Sequence, residues 1–449
     1  MPEDPLQAIR ARAKTLSSTG LADAVSQGVR DGVLDPGTTL PPIRAIASEL
    51  RVSPSTVSAA WAILSRAGVV HSDGRRGTFV TERVSRPDRH RRSLQFSAQF
   101  EIDLSTSLPD PDLLPDLAPA LARLPLAGAL QTYLDEPVIP ELGDLLRESW
   151  PYAAGALTLA DGVMDALDLI CATFLRYGDR VAVERLTDPG ILDLLEATGV
   201  RPVPVALDAE GPLPDSLSAA LAAGAKTVLL QPRAQQPTGT TISPDRAERL
   251  ADAIRAADAR LIEVDFSGAV ATSAPVSLAT HIPERTLHIL SYSTSHGPEL
   301  RISAVSGPQD LIETLVQRRH LGQGWTSRLL QHLLFDLLTN EDSVRQVETA
   351  RRKYAERRQA LAAELRKHGV VAGNVDGLHL WVPVDSELSA LVSLSSRGVG
   401  VAPGSPFAVE TTADGHLFVN AGQMPAHLAP GVAQALADAA DGRGRGNRG

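Results

Sequence analysis

The chain has 449 residues, 43% of them apolar, and a net charge of −10, enough apolar content to bury large cores in two or three domains. No apolar run approaches the ~20 residues of a membrane span, and Met1-Pro-Glu-Asp lacks the basic-then-apolar order of a secretion signal. A soluble cytoplasmic protein with no membrane partner is expected. The charge is split: residues 1–93 carry 14 Lys and Arg against 9 Asp and Glu, the remainder 29 against 44. That asymmetry points to nucleic-acid binding by the first part only.

In chain order, Leu40-Pro-Pro-Ile-Arg44 opens a short helix that runs through Leu50, and Arg51-Val52-Ser53 forms a tight turn. Pro54 to Arg66 is a second helix, with Pro at its first position and Ser53 as N-cap. This is helix-turn-helix spacing. Val57, Ala60, Trp61 and Leu64 form one apolar stripe, leaving Ser55, Thr56, Ser58 and Ala59 on the side that can face a major groove. Ser72-Asp-Gly-Arg-Arg-Gly-Thr-Phe-Val80 then gives two short strands about a basic turn. Such a wing presents Arg75 and Arg76 to a phosphate backbone or minor groove. An arginine-rich stretch without apolar periodicity follows, so residues 84–100 are assigned as an exposed linker between a DNA-binding domain (1–83) and a body (101–441).

Within the body, apolar strand-like runs alternate with helical patterns: Arg180 to Glu184, Arg201 to Leu207, Lys226 to Gln231, Arg260 to Asp265 and Thr286 to Ser291. This is α/β order around a largely parallel sheet. The single cysteine, Cys171, lies in an apolar helical run and reads as a buried structural thiol, which excludes a disulfide framework. From about residue 342 a smaller α/β subdomain begins. It comprises a charged helix from Val344 to His368, short strands at Leu378 to Val384 and Leu417 to Val419, and a last helix ending near Ala440. The tail 442–449 is low-complexity and expected to be disordered. No cluster of metal-ligand residues is present at recognisable spacing.

Residues 16–83 resemble a GntR-type winged helix-turn-helix. That resemblance implies operator contacts by Arg44, Ser53, Ser55, Thr56, Ser58 and the wing residues Arg75, Arg76, Gly77 and Thr78. Many members have an arginine where this chain has Pro54 and another where it has Ser58, so its base-reading pattern differs.

From about Glu101 to Asp441 the chain resembles a fold-type I aminotransferase of the MocR subgroup, in which a GntR head is fused to an aminotransferase-like body. Asp161-Gly-Val-Met-Asp-Ala-Leu-Asp168 occupies the place of the glycine turn that opens a helix onto the phosphate of pyridoxal phosphate. Gln235-Gln-Pro-Thr-Gly239 matches the loop before the cofactor ring, and Ile262-Glu-Val-Asp-Phe266 the strand that usually ends in an acidic residue and a tyrosine. Ser291 to Arg301 matches the lysine segment, and Gly398 to Phe407 a late loop of the small subdomain. The resemblance implies a mixed-sheet large domain, a homodimer with the pocket near the subunit interface, and a cleft lined by Gly162, Val163, Met164, Asp188, Gln236, Val264, Phe266, Ser291, Ser293, Thr294 and Arg301.

Matched to that pattern, the cleft departs in one direction. Thr294 stands where the family has its Schiff-base lysine, and a hydroxyl cannot form an imine. The four lysines are Lys14, Lys226, Lys353 and Lys367, and none belongs to the segment. Val264 replaces the carboxylate that meets the ring nitrogen; Asp265, next along an alternating strand, points to the other face. Phe266 replaces a tyrosine, Asp188 a stacking aromatic, and Phe418 the arginine that grips a substrate carboxylate. The anion cradle remains: Gly162 with its helix, Ser291, Ser293 and Arg301. Arg301, expected to be partly buried, admits two roles, gripping an anion or pairing with a local acid such as Glu299. His296 is expected on an exposed loop.

The sequence therefore points to a DNA-binding regulator that is not an enzyme. Its body serves as dimer scaffold or as sensor of a small anionic effector, with no covalently bound pyridoxal phosphate. Two alternatives stand beside it: noncovalent binding of that cofactor through Arg301, and residual chemistry at Asp188, Asp265 or His296. The cleft is either open or plugged by side chains such as Phe266 and Met164.

Overall fold

The computed structural model describes residues 4–13, 15–66, 69–73, 77–81, 89, 100–124, 136–373, 376–410 and 415–440. Arg75, Arg76, most of the linker and the tail 442–449 lie outside them.

The head is built from α1 (Pro5–Arg12), α2 (Ser18–Arg30), α3 (Ile43–Leu50), α4 (Pro54–Arg66) and an antiparallel pair, β1 (Val70–Asp73) and β2 (Gly77–Val80). Asp4 and Ser17 cap α1 and α2 by accepting N–H groups of Leu6 and Gly20. The turn between α3 and α4 is made by Arg51, in left-handed conformation at φ 53°. Val57, Ala60, Trp61 and Leu64 are all buried, as their stripe requires. α1, whose Ala8 and Ile9 are wholly enclosed, braces the motif through Arg10 to Glu49 and Arg12 to Asp31.

The large domain carries a seven-stranded sheet in the order Ala156–Ala160, Ser303–Gly307, Thr286–Ser291, Arg260–Asp265, Thr227–Leu230, Arg180–Glu184 and Arg201–Val205. Only Ser303–Gly307 runs against both its neighbours. Five of these strands follow the sequence pattern, while Ala156–Ala160 and Ser303–Gly307 do not announce themselves. Ser303–Gly307 is rich in Ser, Ala and Gly, whose small side chains carry little strand signal, and Ala156–Ala160 is only five residues of Ala, Leu and Thr beside a Gly-containing turn. Along Arg260–Asp265, Ile262 and Val264 enter the core that also holds Val163, Leu167 and Ile289, whereas Leu261 enters a second core on the opposite face. Cys171 belongs to the first core, and burial pushes its thiol up to about 12.

The small subdomain begins with the helix Glu341–Lys367 and a three-stranded antiparallel sheet of His379–Val384, Gly415–Asn420 and Ala402–Pro403. The chain enters the body here: Ile102–Asp103 pairs in parallel with Val399–Gly400. One helix, Glu387–Ser396, also packs on α2 and α4, and head and small subdomain share a continuous apolar core. None of the described helices is long and apolar enough to cross a membrane.

Candidate effector cleft and DNA-binding face

The residues that the resemblance assigns to a cofactor site gather where the carboxyl ends of the central strands meet the start of the helix Val163–Phe174. Gly162 precedes that helix with φ 98° and ψ 169°, a conformation essentially restricted to glycine. No side chain caps the helix, so its first N–H groups are turned toward the turn. A Cβ on Gly162 would lie 3.4 Å from both Cζ and Nη2 of Arg301, which places the guanidinium directly over the glycine. Arg301 is itself left-handed at φ 48°. Contrary to the sequence expectation it is exposed, and among the described residues it makes no ion pair with Glu299 or any other acid. Ser291 and Ser293 lie at the same strand end, linked by the Ser293 N–H donating to Ser291 Oγ at 3.2 Å.

This turn is held from behind by a residue that no sequence motif selects. Arg319, almost wholly buried, pairs with Asp161 at 2.7 Å and Asp165 at 3.2 Å, and donates to the Leu159 carbonyl at 2.9 Å. Asp161 and Asp165 flank the helix start and hint at a cation, but its position more than 150 residues away is not legible from spacing.

At the ring end the chemistry differs. Thr294 is half-buried and donates its hydroxyl to the Phe266 carbonyl at 2.9 Å. Val264 is fully enclosed by aliphatic neighbours. Asp265 lies on the other face, where its carboxylate pairs with Arg233 at 2.7 Å and accepts the Gly268 N–H at 2.8 Å. Met164 and Phe266 are half-buried and pack on the same core as Val264 without being sealed in it. The three body lysines are surface groups: Lys226 donates to the Ala257 carbonyl, and Lys353 and Lys367 pair with Glu356 and Glu364. The described residues thus fit a phosphate at one end and do not fit a covalently held pyridoxal ring at the other.

Asp188 is the N-cap of the helix Pro189–Ala197, accepting N–H groups of Gly190 at 2.8 Å and Ile191 at 3.3 Å. Gln236 precedes Pro237 through a cis bond and gives its N–H to Gln231 Oε1 at 3.0 Å. Beneath this loop, burial pushes the Glu184 carboxyl well up; it accepts the Gln231 N–H. Phe418 is stacked on His379 at 4.2 Å, with Phe407 tilted against it at 4.6 Å. His296 corrects the sequence reading: it is buried, not exposed, because Tyr292 and Ser295 fold over it, and burial lowers its pKa to about 4.

On the head, Arg44, Ser53, Ser55 and Ser58 are exposed and Thr56 is half-buried. Ser53 Oγ accepts the Thr56 N–H at 3.1 Å and lies 2.7 Å from the hydroxyls of both Ser55 and Thr56, so it is committed to starting the helix. Gly77 takes φ 111°, and Thr78 Oγ1 meets Ser72 Oγ at 3.1 Å across the wing strands.

Residues 18–80 match the model of bacterial regulatory proteins of the gntR family, and residues 101–436 that of aminotransferase class I and II. The chain belongs to the MocR-type regulators. It is 34% identical over 401 residues to the vitamin B6 salvage pathway transcriptional repressor PtsJ of Salmonella typhimurium, covering 88% of this chain and 91% of that one. It is 26% identical over 433 residues to the pyridoxine biosynthesis transcriptional regulator PdxR of Corynebacterium glutamicum, covering 91% and 92%. In fold, the MocR-type body is similar to the α-aminoadipate aminotransferase LysN of Thermus thermophilus, with a TM-score of 0.68 and 23% identity over 75% of this chain and 91% of that one. The expected fold class, a winged helix-turn-helix joined to a fold-type I body, is thereby established.

Proposed function

We propose that this protein is a sequence-specific, DNA-binding transcriptional regulator whose aminotransferase-like body has lost the Schiff-base lysine and is not an enzyme. The body acts as homodimer scaffold and as sensor of a small anionic ligand, in the cytoplasm and without covalent pyridoxal phosphate. The observation that carries the reading is the pairing of Arg301, unmatched by any described acid and poised over Gly162, with Thr294 and Val264 at the opposite end. An anion has a cradle, and an imine has no amine. Residual chemistry finds little support: Asp188 caps a helix, Asp265 is paired with Arg233, and His296 is buried. On the head, Arg44, Ser55, Ser58 and the wing residues Arg75, Arg76, Gly77 and Thr78 contact the operator, while Ser53 and Thr56 set the helix that does so.

A second reading, in which pyridoxal phosphate binds noncovalently through its phosphate, is favoured by the same cradle and by the vitamin B6 role in the PtsJ and PdxR names. Electrophoretic shift of the DNA upstream of the chain's own gene, with and without pyridoxal phosphate, tests both. Retarded DNA at nanomolar protein supports regulation, and no retardation in either condition refutes it. Loss or gain of retardation with the compound, without colour, selects the second reading.

A further inference from the structure

Four adjoining strands of the large domain begin on a cation. Arg201, Arg180 and Arg260 are the first residues of their strands, and Lys226 directly precedes Thr227–Leu230. Arg180 is the register partner of Arg201. Lys226 gives its backbone N–H to the Arg180 carbonyl at 3.4 Å, and Arg260 its own to the Lys226 carbonyl at 3.0 Å. Neighbouring strands lie about 4.8 Å apart, so the row spans about 14 Å. It occupies the amino edge of the sheet, opposite the end that carries Gly162 and Thr294.

The loop before Arg180 adds Arg176 and Tyr177. All of these side chains are exposed except Arg260, which is half-buried. Tyr177 is 88% exposed, yet its ring has a fixed seat against Gly199, where any added Cβ would collide with it. Arg180 passes over Gly224 and donates to the Ala223 carbonyl, and the Arg260 guanidinium lies 4.6 Å above the Phe174 ring. Among the described residues, none of Arg176, Arg180, Arg201, Lys226 and Arg260 is in an ion pair, whereas the nearby Arg246, Arg255 and Arg285 all are. Two acids stand close: Asp179, whose carboxylate accepts the Arg176 backbone N–H at 2.7 Å, and Asp310, which acts on Arg260. Glu196 is already taken by Arg89 at 3.3 Å. Five cations against two acids therefore gather on a body that carries 29 against 44 after residue 93.

We propose that this amino edge is a second DNA-contacting surface, which receives the phosphate backbone of duplex flanking the site read by the head. The proposal rests on the reading of the chain as a DNA-binding regulator. A line of cations at strand spacing suits a polyanion better than a single small anion, and the rest of an acidic body repels phosphates. The Tyr177 hydroxyl can donate to a phosphate oxygen, as tyrosines on DNA-binding surfaces do. Chain length favours DNA over other polyanions. Arg89 also donates its backbone N–H to Asp193 at 3.0 Å, on the helix Pro189–Ala197 that leads into Arg201. Thr81, at the end of the wing, is eight residues earlier and so lies within about 29 Å of that point. DNA leaving the wing needs only one to two helical turns, about 34 Å each, to come alongside the row.

The test uses the full-length chain and two fragments of the DNA upstream of its own gene: the shortest that is still retarded, and the same one extended by roughly 20 base pairs on each side. Affinity is read by fluorescence anisotropy at several salt concentrations. The wild type is expected to bind the longer fragment about tenfold more tightly and with a steeper salt dependence. Arg180→Gln/Arg201→Gln/Lys226→Gln removes three charges from exposed side chains. It should bind the short fragment within about twofold of wild type, lose the gain on the long one, and lower the salt slope there by about two to three. Arg201→Glu, a single change on the edge strand, should weaken the long fragment selectively even if the triple variant is unstable. Equal wild-type affinity for both fragments overturns the proposal, as does either variant with the wild-type gain and slope. Binding of polyglutamate that the triple variant loses, with both DNA measurements unchanged, overturns it in favour of an acidic protein. If no upstream fragment is retarded, the regulator reading itself fails and this surface falls with it.

Discussion

Replacing Gly162 with alanine tests the cradle from two directions at once. The backbone there, at φ 98° and ψ 169°, is one that L-residues adopt at a cost of about 1–3 kcal/mol. The new Cβ would also stand 3.4 Å from the Arg301 guanidinium. That contact is tight but movable, because the arginine end is flexible and exposed, so most of the stability cost is backbone strain. Displacing Arg301 is the larger functional effect. A hydrogen bond to a charged group contributes about 1.5–3 kcal/mol, so phosphate or pyridoxal phosphate should bind roughly 10- to 100-fold more weakly. Thermal unfolding followed by circular dichroism gives the stability term, and calorimetry on the folded variant gives the affinity. The expected result is a Tm lowered by a few degrees with DNA binding retained and anion affinity reduced. A variant that binds the anion as tightly as wild type would show that the ligand does not sit at this turn.

Thr294→Lys restores an amine at the strand end. With pyridoxal phosphate it should give a yellow, borohydride-reducible protein that still fails to transaminate, because Val264 cannot support the ring nitrogen; a colourless variant would argue against the assignment of Thr294 to the lysine position. Asp265→Ala leaves Arg233 buried without its partner and should destabilise the body by about 3–5 kcal/mol, measured by urea unfolding. His296 and His379, with pKa values lowered by burial to about 4 and about 3, stay neutral in the fold while the unfolded chain protonates near 6.5. Stability is therefore full above pH 6.5 and falls as the pH drops toward 4, and His296→Asn should flatten that acid limb in pH-dependent unfolding. Arg44→Ala should weaken operator binding about tenfold and lower its salt dependence by close to one ion, read by fluorescence anisotropy at several salt concentrations.

The architecture was legible where periodicity was strong. The strands Arg180–Glu184, Arg260–Asp265 and Thr286–Ser291 have the boundaries that apolar runs and flanking polar residues indicate. The helix-turn-helix was legible because Ser53 and Pro54 carry their start signals on the page. In the cleft, the alternation of Val264 and Asp265 follows from strand geometry and is seen in their opposite partners. What the sequence could not supply was long-range pairing. Arg319 behind Gly162, Arg233 beside Asp265 and Arg89 on the helix Pro189–Ala197 each meet acids far along the chain. His296 was misread because a histidine between serine and glycine looks like loop surface, and only the packing of Tyr292 encloses it.

Reduction with borohydride in the presence of pyridoxal phosphate, followed by peptide mass spectrometry, reaches the centre of this account most directly. The wild-type chain should yield no stoichiometric pyridoxyl adduct while still retarding its own upstream DNA. A stoichiometric adduct on Lys226, Lys353 or Lys367 would contradict it.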